Sequence, residues 1–137
     1  MDNTIKDKVC IYSYNSRGSS QEKLTFIQNL ISITASKLTI FCIQEHFLLR
    51  GSLRKMSSFF KESSVLAKPA YKDSNIQVKG RAKGGLAIII PKSLRKNVSV
   101  IQCELWRVQP LLINFKNQKF LVINVYFPTD TKTVGGD

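Results

Sequence analysis

The acid Glu45 closes an apolar run at residues 38–44, and His46 follows it directly. A carboxylate at a strand end can hold a hard cation, and a neighbouring imidazole can move a proton. Successive strand residues point to opposite faces, however, so both side chains cannot easily aim at one metal, and His46 reads as a surface residue or a support for Glu45. Taken alone, Glu45 reads as an ordinary strand-end acid. Asn15 closes a second run, at residues 8–15, and Asn favours the turn after a strand for local reasons. Arg81 and Lys83 precede Gly84-Gly85, a loop that can bring two cations close to a nucleic-acid backbone or hold them in solvent. Asn124 and Tyr126 lie in the last apolar run, where Tyr suits a half-buried strand.

The charge around these residues is local. The chain carries 21 Lys and Arg against 9 Asp and Glu, a formal charge of +12. Residues 51–100 hold eleven of the basic residues against Glu62 and Asp73, which places +9 of the excess there. Such a density is the footprint expected of a surface that meets polyphosphate, because each cation set near a phosphate releases a condensed counterion. Lipid headgroups or plain solvent could face it instead. The aromatics of this stretch, Phe59, Phe60 and Tyr71, are too few to read as a base-stacking platform.

The elements that must position these residues follow from patterning. Residues 8–15 are β-branched and aromatic and run into Ser16-Arg17-Gly18-Ser19, a strand entering a turn. Ser19-Ser20-Gln21-Glu22 has the form of a capping box, and Leu24, Ile27, Leu30 and Ile31 recur at helical spacing, which predicts a helix over about 20–35. Residues 38–45 read as a buried strand. This is a βαβ unit, whose crossover makes the two strands parallel and sets Asn15 and Glu45 at one carboxyl edge, where open α/β sheets place their ligands. Residues 46–84 are less legible: a Ser/Lys-rich segment at 50–64, a short strand at 64–68 and a polar loop over 69–83. A short buried strand at 86–90 stops at Pro91. Strands over about 98–108, 111–115 and 120–127, with a polar turn at 116–119, predict an antiparallel, hairpin-built second half.

Hydrophobic residues make up 43% and charged residues 22%, which excludes a chain too polar to bury a core, and the length allows a single domain over residues 1–137. Cys10, Cys42 and Cys103 are odd in number, far apart and set in apolar runs, so they read as free thiols in a reducing compartment. Cys10, Cys42, Trp106 and residues 111–113 read as core. The polar amino terminus has no secretory signal, and the aliphatic runs fall short of the roughly 20 residues of a membrane-spanning helix. The expectation is an intracellular protein with no membrane partner.

Four segments stand in order: Asn15 followed by Arg17-Gly18, then Gln44-Glu45-His46, then Gly80-Arg81-Ala82-Lys83-Gly84-Gly85-Leu86-Ala87-Ile88, then Asn124-Val125-Tyr126-Phe127-Pro128. Together they resemble the endonuclease/exonuclease/phosphatase superfamily, and within it the endonuclease domain of non-LTR (LINE-type) retrotransposons, whose strand ends commonly read Asn-x-Arg-Gly, Gln-Glu-His and Asn-Val-Tyr-x-Pro. The resemblance runs from about residue 9 to residue 130 and corresponds to the amino-terminal part of that domain. It implies an α/β fold, part of a four-layer sandwich of two facing mixed sheets flanked by helices. It also implies that Glu45 holds Mg²⁺, or Mn²⁺ in its place, that Asn15 helps to place metal-bound water and phosphate, and that Tyr126 contacts the scissile phosphate. Arg81, Lys83 and Asn124 are the accompanying substrate-binding candidates. Mg²⁺ suits such a set, because it takes one or two carboxylates and keeps water and substrate phosphate in its other positions. The implied activity is a DNA-nicking phosphodiesterase in the nucleus, with DNA as partner and no further small-molecule cofactor.

The family's Asp-x-Asn pair and Ser-Asp-His segment have no counterpart. His46 is the sole histidine, and Asp137 follows Tyr126 too closely for the helix that the family inserts there. The expectation is an incomplete domain without full activity, exposing apolar sheet surface and dependent on a further carboxy-terminal segment or a partner chain. Two other functions stay open: a non-catalytic basic fragment that binds nucleic acid, and a phosphatase or phospholipase of the same superfamily. The basic middle region and Gln44-Glu45-His46 argue against the last.

Overall fold

Strands that are apolar on both faces must be covered on both sides. The computed structural model, which describes residues 8–34, 38–71 and 82–127, shows two such strands at the centre of the chain. β2 (Leu38–Gln44) and β4 (Leu86–Pro91) form the middle of a four-stranded sheet ordered β1-β2-β4-β3, with β1 (Val9–Asn15) and β3 (Ser63–Lys68) at its edges. β1 runs parallel to β2, and the other pairings are antiparallel. A second, antiparallel sheet of β5 (Val98–Val100), β6 (Val108–Phe115) and β7 (Gln118–Val125) faces it.

Alternate residues of β2 and β4 feed different cores. Ile40, Cys42, Ile88 and Ile90 pack against Leu111, Ile113 and Val122 of the second sheet. Phe41, Ile43, Ala87 and Ile89 pack instead against Leu24 and Ile27 of α1 (Gln21–Ile33), Met56 of α2 (Arg54–Phe59), and Phe60. Each large apolar side chain buried this way contributes about 1.5–3 kcal/mol. The result is a partial α/β sandwich of a helix layer and two facing sheets. Among the described residues no helix covers the outer face of the second sheet. None of the described helices is long and apolar enough to cross a membrane.

The βαβ unit matches its sequence pattern, with one shift at the helix start. Ser20, not Ser19, is the N-cap: its hydroxyl accepts from Lys23 N at 3.3 Å, and Glu22 lies in the first turn, where a carboxylate suits the helix dipole. The 50–64 segment holds the short α2, which no periodic signal announces in six residues. The strand expected over 98–108 is only Val98–Val100; Ile101 N still donates to Pro110 O at 3.2 Å, and residues 102–107 leave the sheet. The hairpin turn narrows to Lys116-Asn117, whose φ values of 52° and 64° are those of a two-residue primed turn. Residues 72–81, Arg81 among them, lie outside the described residues, as does Asp137.

Among the described residues the basic stretch does not form one patch. Lys92, Arg95 and Lys96 sit in a 3-10 helix at the end of β4 remote from Gly84-Gly85, roughly 16 Å along the strand at about 3.3 Å per residue. Lys68 is committed internally, its Nζ donating to the carbonyls of Cys103, Leu105 and Val108 at 2.8, 2.9 and 2.8 Å.

Among the described residues, apolar side chains stay open on both sheets. Ile11 shares the β1 face that points toward the second sheet, in register with Ile40, yet it is 54% exposed because that sheet does not extend over it. On β7, Val122 and Asn124 face inward, which leaves Leu121 and Ile123 each 52% exposed on the outer side. A strand edge beside exposed aliphatics is a template for association. The purified chain should therefore show concentration-dependent self-association in sedimentation, relieved by the double substitution Leu121→Lys and Ile123→Lys. A clean monomer that melts cooperatively by circular dichroism at every concentration would overturn this expectation.

Candidate functional site

The parallel register pairs Asn15 with Gln44, so the residue after β2, Glu45, comes beside Asn15. β4 starts at the same level, Leu86 opposite Gln44, and brings Gly84-Gly85 alongside. Glu45 N donates to Gly85 O at 2.8 Å and Phe47 N to Gly84 O at 3.0 Å. Tyr126 follows the end of β7, its N–H donating to Arg107 O at 2.9 Å. Three strand ends and one strand start thus meet at one end of the sandwich.

β2 ends at Gln44 because the next residues leave extended geometry. Glu45 has φ 61° and Phe47 φ 64°, left-handed conformations that cost a non-glycine residue about 1–3 kcal/mol each. The alternation expected for a strand is lost between them. The Glu45 carboxylate accepts a hydrogen bond from Asn15 Nδ2. The Glu45 carbonyl accepts from Gly18 N at 2.7 Å and from Ser16 Oγ at 3.3 Å, so the turn after β1 wraps over it.

His46 turns the other way. It is fully buried, not a surface residue, and its imidazole lies on Gly85, where a Cβ would come within 2.4 Å of Cε1. Nδ1 accepts from Leu48 N at 2.9 Å, which leaves Nε2–H to donate to Lys68 O at 2.9 Å. This is a neutral tautomer, and burial lowers its pKa from the ordinary 6.5.

Asn124, expected to bind substrate, is buried between the two sheets. It is 2% exposed. Its Nδ2 donates to the carbonyls of Ile43 and Ala87 at 3.0 and 3.1 Å and to Gln109 Oε1 at 3.2 Å, and its Oδ1 accepts from Gln44 Nε2 at 2.8 Å. The side chain clamps β7 to β2 and β4, and both of its polar atoms are engaged in the clamp.

Tyr126 is half-buried beside Glu45: burial first, and the Glu45 charge second, raise its pKa above the ordinary 10. Its phenol therefore stays a hydrogen-bond donor across neutral pH. The site can hold a cation through two hard oxygens, the Glu45 carboxylate and the Asn15 amide, with water and phosphate completing the shell, and it can donate to phosphate through Tyr126. No group of three His, Cys, Asp or Glu residues that could hold a metal occurs among the described residues. Lys83 is exposed at the same end, before Gly84. Arg81 lies outside the described residues.

Two aromatic residues that sequence patterning did not connect to the site stand next to it. Trp106, expected in the core, is half-buried and packs against Tyr126 with ring centroids 5.8 Å apart, and Tyr71 stacks on Trp106 at 5.4 Å with an interplanar angle of 20°. Three segments far apart in sequence supply this row, so no local period could announce it. The remaining expected core residues behave unevenly: Cys42, Leu111 and Ile113 are buried, and Cys10 and Leu112 are half-buried.

No protein-family model matches the chain, and no curated protein does. Among solved structures the fold is similar to that of the Xenopus laevis APE2 catalytic domain, with a TM-score of 0.57 at 16% identity. The match covers 87% of this chain and 45% of that one, so the chain spans less than half the length of its structural neighbour.

Two outcomes follow from these contacts. Asn124→Ala strands buried groups that cost about 1–3 kcal/mol each, so it should destabilise the fold by roughly 2 kcal/mol or more in urea unfolding; a change below about 0.5 kcal/mol would show the clamp to be unimportant. His46 stays neutral when folded but takes a proton below about pH 6.5 when unfolded. The unfolded state then binds more protons, so the stability that His46 contributes is full above pH 6.5 and is lost as pH falls, at up to about 1.4 kcal/mol per pH unit. With one histidine in the chain, a flat stability profile between pH 7.5 and 5.5 would contradict its burial as a neutral group.

Proposed function

We propose that this chain carries the metal- and phosphate-binding half of a Mg²⁺-dependent phosphodiesterase acting on DNA, of the kind that retrotransposon endonucleases represent. The observation that carries the reading is the convergence of Asn15, Glu45 and Tyr126 from three strand ends, with Glu45 held in a strained left-handed conformation against the Asn15 amide. Backbone strain clusters at functional sites, and here it falls on the carboxylate that meets Asn15. The similarity of the fold to a catalytic domain supports it.

In this reading Glu45 and Asn15 hold the cation. When bound, Mg²⁺ supplies Lewis acidity toward a phosphoryl oxygen and charge for the leaving oxygen. Asn15 orients the Glu45 carboxylate through its own hydrogen bond. Tyr126, kept protonated by burial and by the Glu45 charge, donates a hydrogen bond to a non-bridging phosphate oxygen as charge develops there. Lys83, together with Arg81 two residues before it in the sequence, meets the flanking backbone phosphates. In the family that the sequence resembles, an Asp-x-Asn pair and a Ser-Asp-His segment with the catalytic His complete the site; neither is in this sequence, so turnover by this chain alone should be very low.

The test measures binding and cleavage together. Mg²⁺ should tighten binding of a duplex oligonucleotide, chelator or Glu45→Ala should abolish the tightening, Asn15→Ala should weaken apparent Mg²⁺ affinity roughly 10–100-fold, and supercoiled plasmid should stay largely intact. Salt-sensitive DNA binding that ignores both chelator and Glu45→Ala would replace this reading with that of a non-catalytic basic fragment. Mg²⁺-dependent nicking that Glu45→Ala removes would keep the site and overturn the incompleteness.

A further inference from the structure

The aromatic row beside the site is built rigidly. Trp106 rests on Gly84, where a Cβ would lie 2.5 Å from its Cζ3, so the indole occupies the space a side chain would need. The loop that carries Trp106 is tied down by the Lys68 ammonium on three of its neighbouring carbonyls and by Tyr126 N on Arg107 O. Tyr71 is fixed by reciprocal backbone hydrogen bonds with Lys83, both 2.7 Å. The row starts at Tyr126, within the field of Glu45, and ends at Tyr71, which is 44% exposed. Here the last ring stays open to solvent, with the exposed Lys83 ammonium on the adjoining segment.

A planar π surface and a cation paired on adjoining segments, beside a phosphate site, suit a strand with an unpaired base: the base stacks, the cation takes a backbone phosphate, and the scissile phosphodiester lies at Glu45. A continuous duplex keeps its bases in its own stack and cannot offer one to a ring outside the helix. We infer that Tyr71, backed by Trp106, stacks an unpaired nucleobase flanking the phosphodiester held at Asn15, Glu45 and Tyr126, so that the chain prefers single-stranded or locally unpaired DNA to continuous duplex. This rests on the proposed nucleic-acid function and names its substrate class.

Trp106 is the only tryptophan, so its emission reports on the platform directly. In chelator, which removes any metal contribution, a short single-stranded oligonucleotide should bind more tightly than a duplex of the same length and quench Trp106 emission; an oligonucleotide of abasic sugar-phosphates should do neither. Tyr71→Ala should weaken single-strand binding about 5–100-fold, the equivalent of one lost base stack, leave duplex binding unchanged, and be rescued by Tyr71→Phe. Single strand and duplex bound equally, with no quenching and no effect of Tyr71→Ala, would overturn the platform and leave the phosphodiesterase reading intact. Binding to neither nucleic acid, in chelator or with Mg²⁺ added, would overturn both. Because the quenching is read on the unmodified chain, the result does not depend on the variant folding.

Discussion

The Asn124 side chain holds the two sheets in one arrangement at the end where the chemistry would occur. One amide reaches two strands of the opposite sheet and two glutamines. Apolar packing between the sheets is nondirectional and tolerates sliding, whereas a buried amide with all its partners assigned permits one register, because any shift leaves several polar groups unpaired at about 1–3 kcal/mol each. Tyr126 lies two residues beyond Asn124. Its position relative to Glu45 is therefore set by the clamp more than by its own contacts.

The three residues Gln44, Glu45 and His46 divide the work of the site end among them. Gln44 belongs to the clamp, Glu45 to the open site, and His46 to the buried face on Gly85. Two left-handed residues flank the histidine, and that costs free energy which His46 helps to recover through its burial and its two hydrogen bonds. The glycine opposite is part of the same solution, since no other residue leaves room for the ring. The carboxylate is presented because the imidazole is hidden.

The positive charge and the aromatic residues behave in opposite ways. Basic residues that are close in sequence are dispersed in space, with Lys92, Arg95 and Lys96 at the far end of the sandwich and Lys68 bound to a loop of carbonyls. Aromatic residues far apart in sequence come together, and Lys68 is the link, because the loop it organises carries Trp106 to Tyr71 and Tyr126.

The pattern of residues alone determined the layers. A β-branched run ending in Asn15, a capped amphipathic helix and an apolar run ending at Glu45 state a parallel βαβ unit, because periodicity and capping are local properties that each segment carries by itself. The aliphatic run from Leu86 states a doubly buried strand in the same way. Tertiary structure alone decided which neighbour of Glu45 is buried, since a left-handed φ cancels the alternation on which any strand reading depends. It also decided that Asn124 serves the fold and that Trp106 and Tyr71 line the site. Those roles depend on contacts between segments 15 to 81 residues apart, and the energy of such a contact lies in its geometry, which residue types along a chain do not record.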